Sequence, residues 1–158
     1  LFHTLNHSLC KTVGFFCAGR LGQEYATHDM SRMTGTLRTS PVWGTGLFVS
    51  LLALIGLAPF ALFMSEFQIL KAAADRGAYG SLALFLLGGG VVFVGALRHA
   101  VAMAWGEPPG VTTAGPAGRL DKALGALPLA VLLALGIWMP GFLVRALEQA
   151  AAVMGGRP

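Results

Sequence analysis

The apolar stretch VWGTGLFVSLLALIGLAPFALFMSEFQIL, residues 42–70, determines the architecture of the chain. It carries no charged residue before Glu66, and about 20 mostly apolar residues suffice for a helix to cross the hydrocarbon of a membrane. As one helix, the segment from Trp43 to Asp75 would measure roughly 50 Å, which is well beyond the bilayer core. Gly56 and Pro59 lie in its middle, and proline removes a backbone hydrogen bond and clashes with the preceding turn. The stretch therefore predicts a membrane-spanning helix that is broken at Gly56 and Pro59.

Three further stretches complete an all-α bundle of about four membrane spans. We expect the spans at about residues 1–23, 42–71, 77–105 and 120–145, within a single transmembrane domain. Composition agrees, since 55% of the 158 residues are hydrophobic and only 11% are charged, against about a quarter in soluble domains. A water-soluble enzyme and a disordered chain are thereby excluded, and the scattered basic residues make no surface for nucleic acid. Because the chain opens inside a helical pattern without a signal peptide, we expect it to be the end of a longer one.

Three polar connections separate these spans, and a polar tail follows the last one. The first connection, 20–41, is rich in turn residues, the second, 71–76, is a short charged break, and the third, 107–119, is rich in proline and glycine. The tail, 145–158, has the composition of a short helix at the membrane interface. Basic residues are slightly more numerous around the first and third connections, which predicts that these two face the cytoplasm.

His3, His7 and Lys11 are the first group of ionisable residues inside a predicted span. A spacing of four places them along one stripe of a helix, about one turn apart. Lys11 falls near mid-membrane, where an ionisable side chain costs about 2.5–3.5 kcal/mol on insertion scales. One interpretation is a proton or ion path, because histidine titrates near neutrality and water can link the three groups. The alternative is that Lys11 extends to an interface while the histidines hydrogen-bond between helices.

Glu66 is the second candidate, alone in apolar sequence seven residues after Pro59. A break frees backbone carbonyls that need partners, and broken helices at membrane depth often mark transport sites. One interpretation pairs the carboxylate with a basic residue such as Lys11. The alternative for Glu66 is a helix-end carboxylate that pairs with Lys71 or lies in water, and the alternative for Pro59 is a plain kink without function.

No metal site is predicted. His3 and His7 have the i, i+4 spacing that zinc ligands use, but no carboxylate, cysteine or third histidine is close in sequence. Cys10 and Cys17 lie on one helix face, outside metal-ligand spacing and too far apart for an easy disulfide. We therefore expect both cysteines to be buried apolar residues.

These motifs, in this order, resemble the antiporter-like membrane subunits of respiratory complex I. The pattern comprises His3-x-x-x-His7-x-x-x-Lys11, Phe15-Phe16-x-Ala18-Gly19, Met33-x-Gly35-x-Leu37, Leu54-x-Gly56-x-x-Pro59 and Ser65-Glu66-Phe67-x-Ile69-Leu70. The opening LFHTLNHSLCKT is most similar to the component F type of subunit in hydrogenase-4 and formate hydrogenlyase complexes. The motifs cover about residues 1–70, and hydropathy alone supports the remainder.

The resemblance implies the last four or so helices of a proton-translocating subunit with about fourteen. It implies that Lys11 belongs to a polar axis at mid-membrane, that Glu66 is the terminal carboxylate, and that His3 and His7 lie on the same proton route. Two departures matter. Ala58 stands where the family often has the first of two prolines, and Glu66 stands where some sister subunits have lysine.

We therefore predict proton translocation within a complex of the hydrogenase-4/formate hydrogenlyase or NADH-quinone oxidoreductase type, in the inner (plasma) membrane as a multi-pass protein. The resemblance implies no cofactor and no active site in this chain, with iron–sulfur or nickel–iron centres in partner redox subunits. Two other classes stay open: a non-conducting membrane scaffold, and a subunit of a multi-subunit sodium/proton antiporter.

Overall fold

Helices account for the regular secondary structure in the computed structural model, which describes residues 1–108, 115 and 117–155. Within those ranges there is no strand, so the predicted all-α class is confirmed. In chain order the helices are α1 (Phe2–Tyr25), α2 (Thr36–Thr39), α3 (Pro41–Leu54), α4 (Ala61–Asp75), α5 (Tyr79–Trp105), α6 (Arg119–Ile137) and α7 (Gly141–Met154).

Helix α1 supplies the face on which α3, α4 and α6 pack. Its buried face repeats every three or four residues, as expected for a helix with one packed side, and includes Phe2, Asn6, Cys10, Val13, Cys17 and Leu21. One cluster of buried residues joins the second half of α1 to α3 and α5, and the other joins its first half to α4 and α6. Cys10 and Cys17 are both free thiols and both fully buried, as predicted.

The long apolar stretch folds as two helices separated by residues 55–60. Helix α3 begins with Pro41 in its first turn, where a missing N–H costs nothing, and it ends at Leu54. Gly56 then adopts a φ of 74°, in the left-handed region that favours glycine, and α4 begins two residues after Pro59. The backbone therefore breaks around the two residues that the sequence singles out.

Two predicted boundaries differ from the structure. Helix α4 continues through Lys71 to Asp75, and these two side chains form an i, i+4 ion pair at 2.7 Å along its last turn. The predicted span 120–145 is interrupted after Ile137, since Pro140 cannot donate a backbone hydrogen bond and disfavours helical geometry in the residue before it.

The helix ends around the third connection and the tail lie closer to their predicted positions. Helix α5 ends at Trp105 and α6 begins at Arg119, although residues 109–114 and 116 of the predicted loop lie outside the described residues. The tail forms α7, which starts ahead of the predicted 145 and has no buried residue. Residues 156–158 of the tail also lie outside the described part.

Two helices, α5 and α6, are long and apolar enough to cross a membrane, and α3 is a shorter apolar helix.

The first connection is hydrogen-bonded to the C-terminal end of α5. The Thr36 hydroxyl donates to the Met103 carbonyl at 3.1 Å, and the Thr34 hydroxyl donates to the Glu107 carbonyl. The first connection therefore lies at the end of the bundle where α5 ends.

Candidate functional site

The break between α3 and α4 is enclosed by α1 on one side and α6 on the other. Ala53 and Ala61, which flank it, are fully buried with Cys10 of α1 and Leu132 of α6. Gly136, one turn after Leu132, lies against the backbone of residues 59–61 so closely that a Cβ there would overlap it. A helix without a side chain at this point can approach another backbone directly, as small residues do in membrane bundles.

The Glu66 carboxylate folds back onto this break. Its Oε2 occupies the place where a Cβ on Gly56 would stand, and the φ of 74° at Gly56 favours glycine independently. Glu66 is half-buried and lines a cavity of about 270 Å³ between the break and α5, together with Phe63, Phe67 and the Gly89–Gly90 segment. The carboxylate is thus the polar group of an aromatic-walled cavity.

His3 of α1 contacts the residue that precedes Glu66, and His7 stacks on His3. The Nδ1 atom of His3 lies 2.9 Å from the Ser65 hydroxyl, which ties α1 to α4 one residue before Glu66. The His3 and His7 rings stack with their centroids 5.7 Å apart and their planes at 26°. His7 acts electrostatically on the Glu66 carboxylate. The structure therefore brings His3, His7 and Glu66 together.

Lys11 lies in a different environment from the two histidines. Its side chain is exposed, and Nζ stands 5.3 Å from the centre of the Phe15 ring. It lines a second cavity, of about 490 Å³, whose walls come from α1, α3 and residues of the first connection such as His28 and Met33. At 3.6 residues per turn, eight residues leave Lys11 rotated by roughly 80° from His3, so the predicted stripe curves away from α4.

The predicted alternatives for Glu66 can also be compared with the structure. Lys71, the helix-end candidate, pairs with Asp75. Lys11 and Glu66 line separate cavities. Among the residues that the structure describes, His7 is a basic side chain close enough to interact with the charge of Glu66.

Three residues that sequence reasoning did not assign belong to the same region. Ser65 contacts His3, Gly136 contacts the break, and Asn6 is fully buried with neither end of its side-chain amide hydrogen-bonded to a described residue. A small residue at helical spacing from Leu132 is a detectable signal for Gly136. Among residues 1–108, 115 and 117–155, no three histidine, cysteine or acidic side chains come close enough to hold a metal ion.

An apolar helical chain with ionisable side chains near a helix break has features that are typical of membrane transport proteins. Comparison with known proteins agrees. The family "NADH:quinone oxidoreductase/Mrp antiporter, TM" matches residues 1–92, more than half of the chain. The chain belongs to this family of antiporter-like membrane subunits, and the resemblance drawn from the motifs is confirmed.

Relatives from three kinds of complex are similar to the chain. A hydrogenase-4 component F homolog of Methylacidiphilum infernorum is 38% identical over 111 residues, covering 70% of this chain and 23% of that protein. The N-type subunit of a Mycobacterium tuberculosis NADH-quinone oxidoreductase is 33% identical over 138 residues, covering 86% and 25%. The D-type subunit of a Bacillus subtilis Na(+)/H(+) antiporter is 29% identical over 137 residues, covering 87% and 27%. The chain thus spans about a quarter of the length of these relatives.

Proposed function

We propose that the chain is the C-terminal part of an antiporter-like subunit that carries protons across the inner membrane. The observation that supports this most directly is the cluster of His3, His7 and Glu66 beside the break. Ionisable residues inside a membrane are costly and persist where they serve a path for ions or protons. Two half-buried imidazoles that stack on each other near a carboxylate supply groups able to bind and release protons at such a path.

The proton moves between His7 and Glu66 in this proposal. When the imidazolium of His7 gives its proton to the Glu66 carboxylate, both groups become neutral, which removes two charges from an apolar site. Lys11, in the middle of α1, holds the next charge on the route and opens to the larger cavity. Moving one charge across 100 mV is worth about 2.3 kcal/mol, so in this proposal a modest electrostatic coupling to conformational changes in neighbouring subunits drives the transfer.

The relatives support a proposal about the surrounding assembly. We propose four membrane crossings, with α3 and α4 together forming one, and partner membrane subunits of the hydrogenase-4/formate hydrogenlyase or NADH-quinone oxidoreductase type. The similarity to a hydrogenase-4 component F homolog supports the first type. Iron–sulfur or nickel–iron chemistry then belongs to the partner redox subunits.

The test is proton flux in the full-length subunit within its native complex, reconstituted into vesicles with a pH-sensitive dye. Lys11→Met should abolish flux while the complex still assembles. Lys71→Met is the matched control, because its ammonium pairs with Asp75 on an exposed helix end, and flux should stay at the wild-type rate. Wild-type flux in Lys11→Met would show that the proposed route is wrong.

Two other functions give different outcomes in the same vesicles. A sodium/proton antiporter, which the similarity to the Bacillus subtilis antiporter protein favours, requires flux that depends on sodium. A non-conducting scaffold requires that Glu66→Gln alters assembly and leaves flux unchanged. A redox-driven proton pump requires flux that follows electron transfer in the absence of sodium.

A further inference from the structure

The Ser65 hydroxyl has two polar neighbours but only one proton to give. It donates to the Leu62 carbonyl of its own helix at 2.8 Å, and it lies 2.9 Å from Nδ1 of His3. Ser65 is 2% exposed, so water does not replace either neighbour. A hydroxyl oxygen can accept hydrogen bonds while its proton is engaged elsewhere.

Both hydrogen bonds form together only if His3 is the donor. A neutral imidazole carries its proton on one nitrogen, and the partner of the other nitrogen decides which tautomer is present. With the proton on Nδ1, His3 donates to Ser65 while Ser65 donates to Leu62. With the proton on Nε2, the serine must turn toward His3 and abandon the Leu62 carbonyl.

We propose that Ser65 is a positioning residue that holds neutral His3 in the Nδ1–H tautomer. This inference rests on the proposed function, since it concerns the proton path of the same site. His3 then binds and releases its proton at Nε2 alone. When the ring becomes imidazolium, Nδ1 keeps its proton and the bond to Ser65 is unchanged, so α1 and α4 stay joined in both charge states.

The consequence is that only one edge of the His3 ring exchanges protons. Protons load and unload at the Nε2 edge of His3, and no proton passes through the ring to Ser65. The stacked His7 ring and the Glu66 carboxylate are the titratable groups next to this contact, on α1 and α4 respectively. Ser65 therefore closes one end of the path instead of relaying protons along it.

The test is nitrogen-15 NMR of histidine-labelled full-length subunit in its complex, with His3 assigned by its substitution to Gln. The wild-type spectrum should show a protonated Nδ1 and an unprotonated Nε2 for neutral His3. In Ser65→Ala, the ratio of the Nδ1–H to the Nε2–H tautomer should fall by roughly 2- to 13-fold, the factor that one neutral hydrogen bond carries. Ser65→Thr retains the hydroxyl and should restore the wild-type ratio.

Ser50→Ala is the matched control. The Ser50 hydroxyl is fully buried and donates to the Leu47 carbonyl at 2.8 Å, the same bond within a helix, but no histidine among the described residues is hydrogen-bonded to it. This variant should leave the His3 signals unchanged. Proton flux should fall in Ser65→Ala, recover in Ser65→Thr and match wild type in Ser50→Ala.

The wild-type spectrum decides the proposal even if Ser65→Ala does not assemble. A neutral His3 with its proton mainly on Nε2 would overturn the assignment, and so would an unchanged tautomer ratio in Ser65→Ala. The proposed function fails separately. If the Nδ1–H tautomer is found while Lys11→Met retains full flux, the role of Ser65 stands and the proton route does not.

Discussion

Replacement of Gly136 by alanine tests whether α6 holds the broken helix in place. A Cβ on Gly136 would lie 2.6 Å from the carbonyl carbon of Phe60 and 2.7 Å from the amide nitrogen of Ala61, and would also overlap the Pro59 carbonyl oxygen. Non-bonded carbon atoms rest at about 3.5–4.0 Å, so α6 must move away by roughly 1 Å. The opposing atoms are backbone and cannot rotate aside. Insertion of a methyl group into such a contact costs about 1–3 kcal/mol.

The measurement is thermal unfolding of the full-length subunit, purified within its complex in detergent. Gly136→Ala should lower the unfolding temperature, because a loss of about 1–3 kcal/mol reduces the ratio of folded to unfolded protein by about 5- to 160-fold. Gly125→Ala is the control on the same helix, since no described side chain or neighbouring backbone lies within 4 Å of its Cβ position. There alanine should gain up to about 1 kcal/mol of helix propensity. Equal unfolding temperatures in the two variants would refute the contact between α6 and the break.

Two further predictions concern the first connection. The buried Thr36 hydroxyl donates to the Met103 carbonyl, so Thr36→Val should destabilise the protein by about 0.5–1.5 kcal/mol in thermal unfolding, whereas the exposed Thr12→Val should have little effect. The side-chain and backbone hydrogen bonds from Ser31 lower the pKa of the Asp29 carboxyl below its ordinary value of 3.8. These bonds therefore stabilise the turn fully above that pH, and their stabilisation is lost as the pH falls through the lowered pKa. Ser31→Ala should raise the Asp29 midpoint in carbon-13 NMR titration; an unmoved midpoint would contradict this cause.

The helix break was predictable because the backbone preferences of residues within the break determine it. Gly56 and Pro59 restrict the backbone in ways that no tertiary contact has to supply. The end of α6 was missed for the opposite reason, since Trp138 and Pro140 lie within a stretch whose average hydropathy still fits one span. Hydropathy reports how apolar a segment is and does not show where its helix ends, and proline alone is not a sufficient signal, because α6 continues through Pro128.

The candidate site was only partly predictable. Helical spacing correctly indicates that His3 and His7 neighbour each other. Each step of four residues, however, turns the side chain roughly 40° further around the helix axis. Lys11 has therefore left the face that meets α4. The contact between Ser65 and His3 joins residues 62 positions apart. No pattern within one helix can show such a pair, because it depends on how two helices pack.

The two threonine hydrogen bonds at the end of α5 also show how many times the broken helix crosses the bundle. They keep residues 34–36 beside residues 103–107, and α5, with 27 residues, is about 40 Å long. Its start must therefore lie at the far end of the bundle, and α4, which leads into it, must end there too. The broken helix accordingly travels from one end to the other once, without doubling back as a re-entrant hairpin. Whichever way the protein is inserted, we expect Arg32 and Arg76 to face opposite compartments.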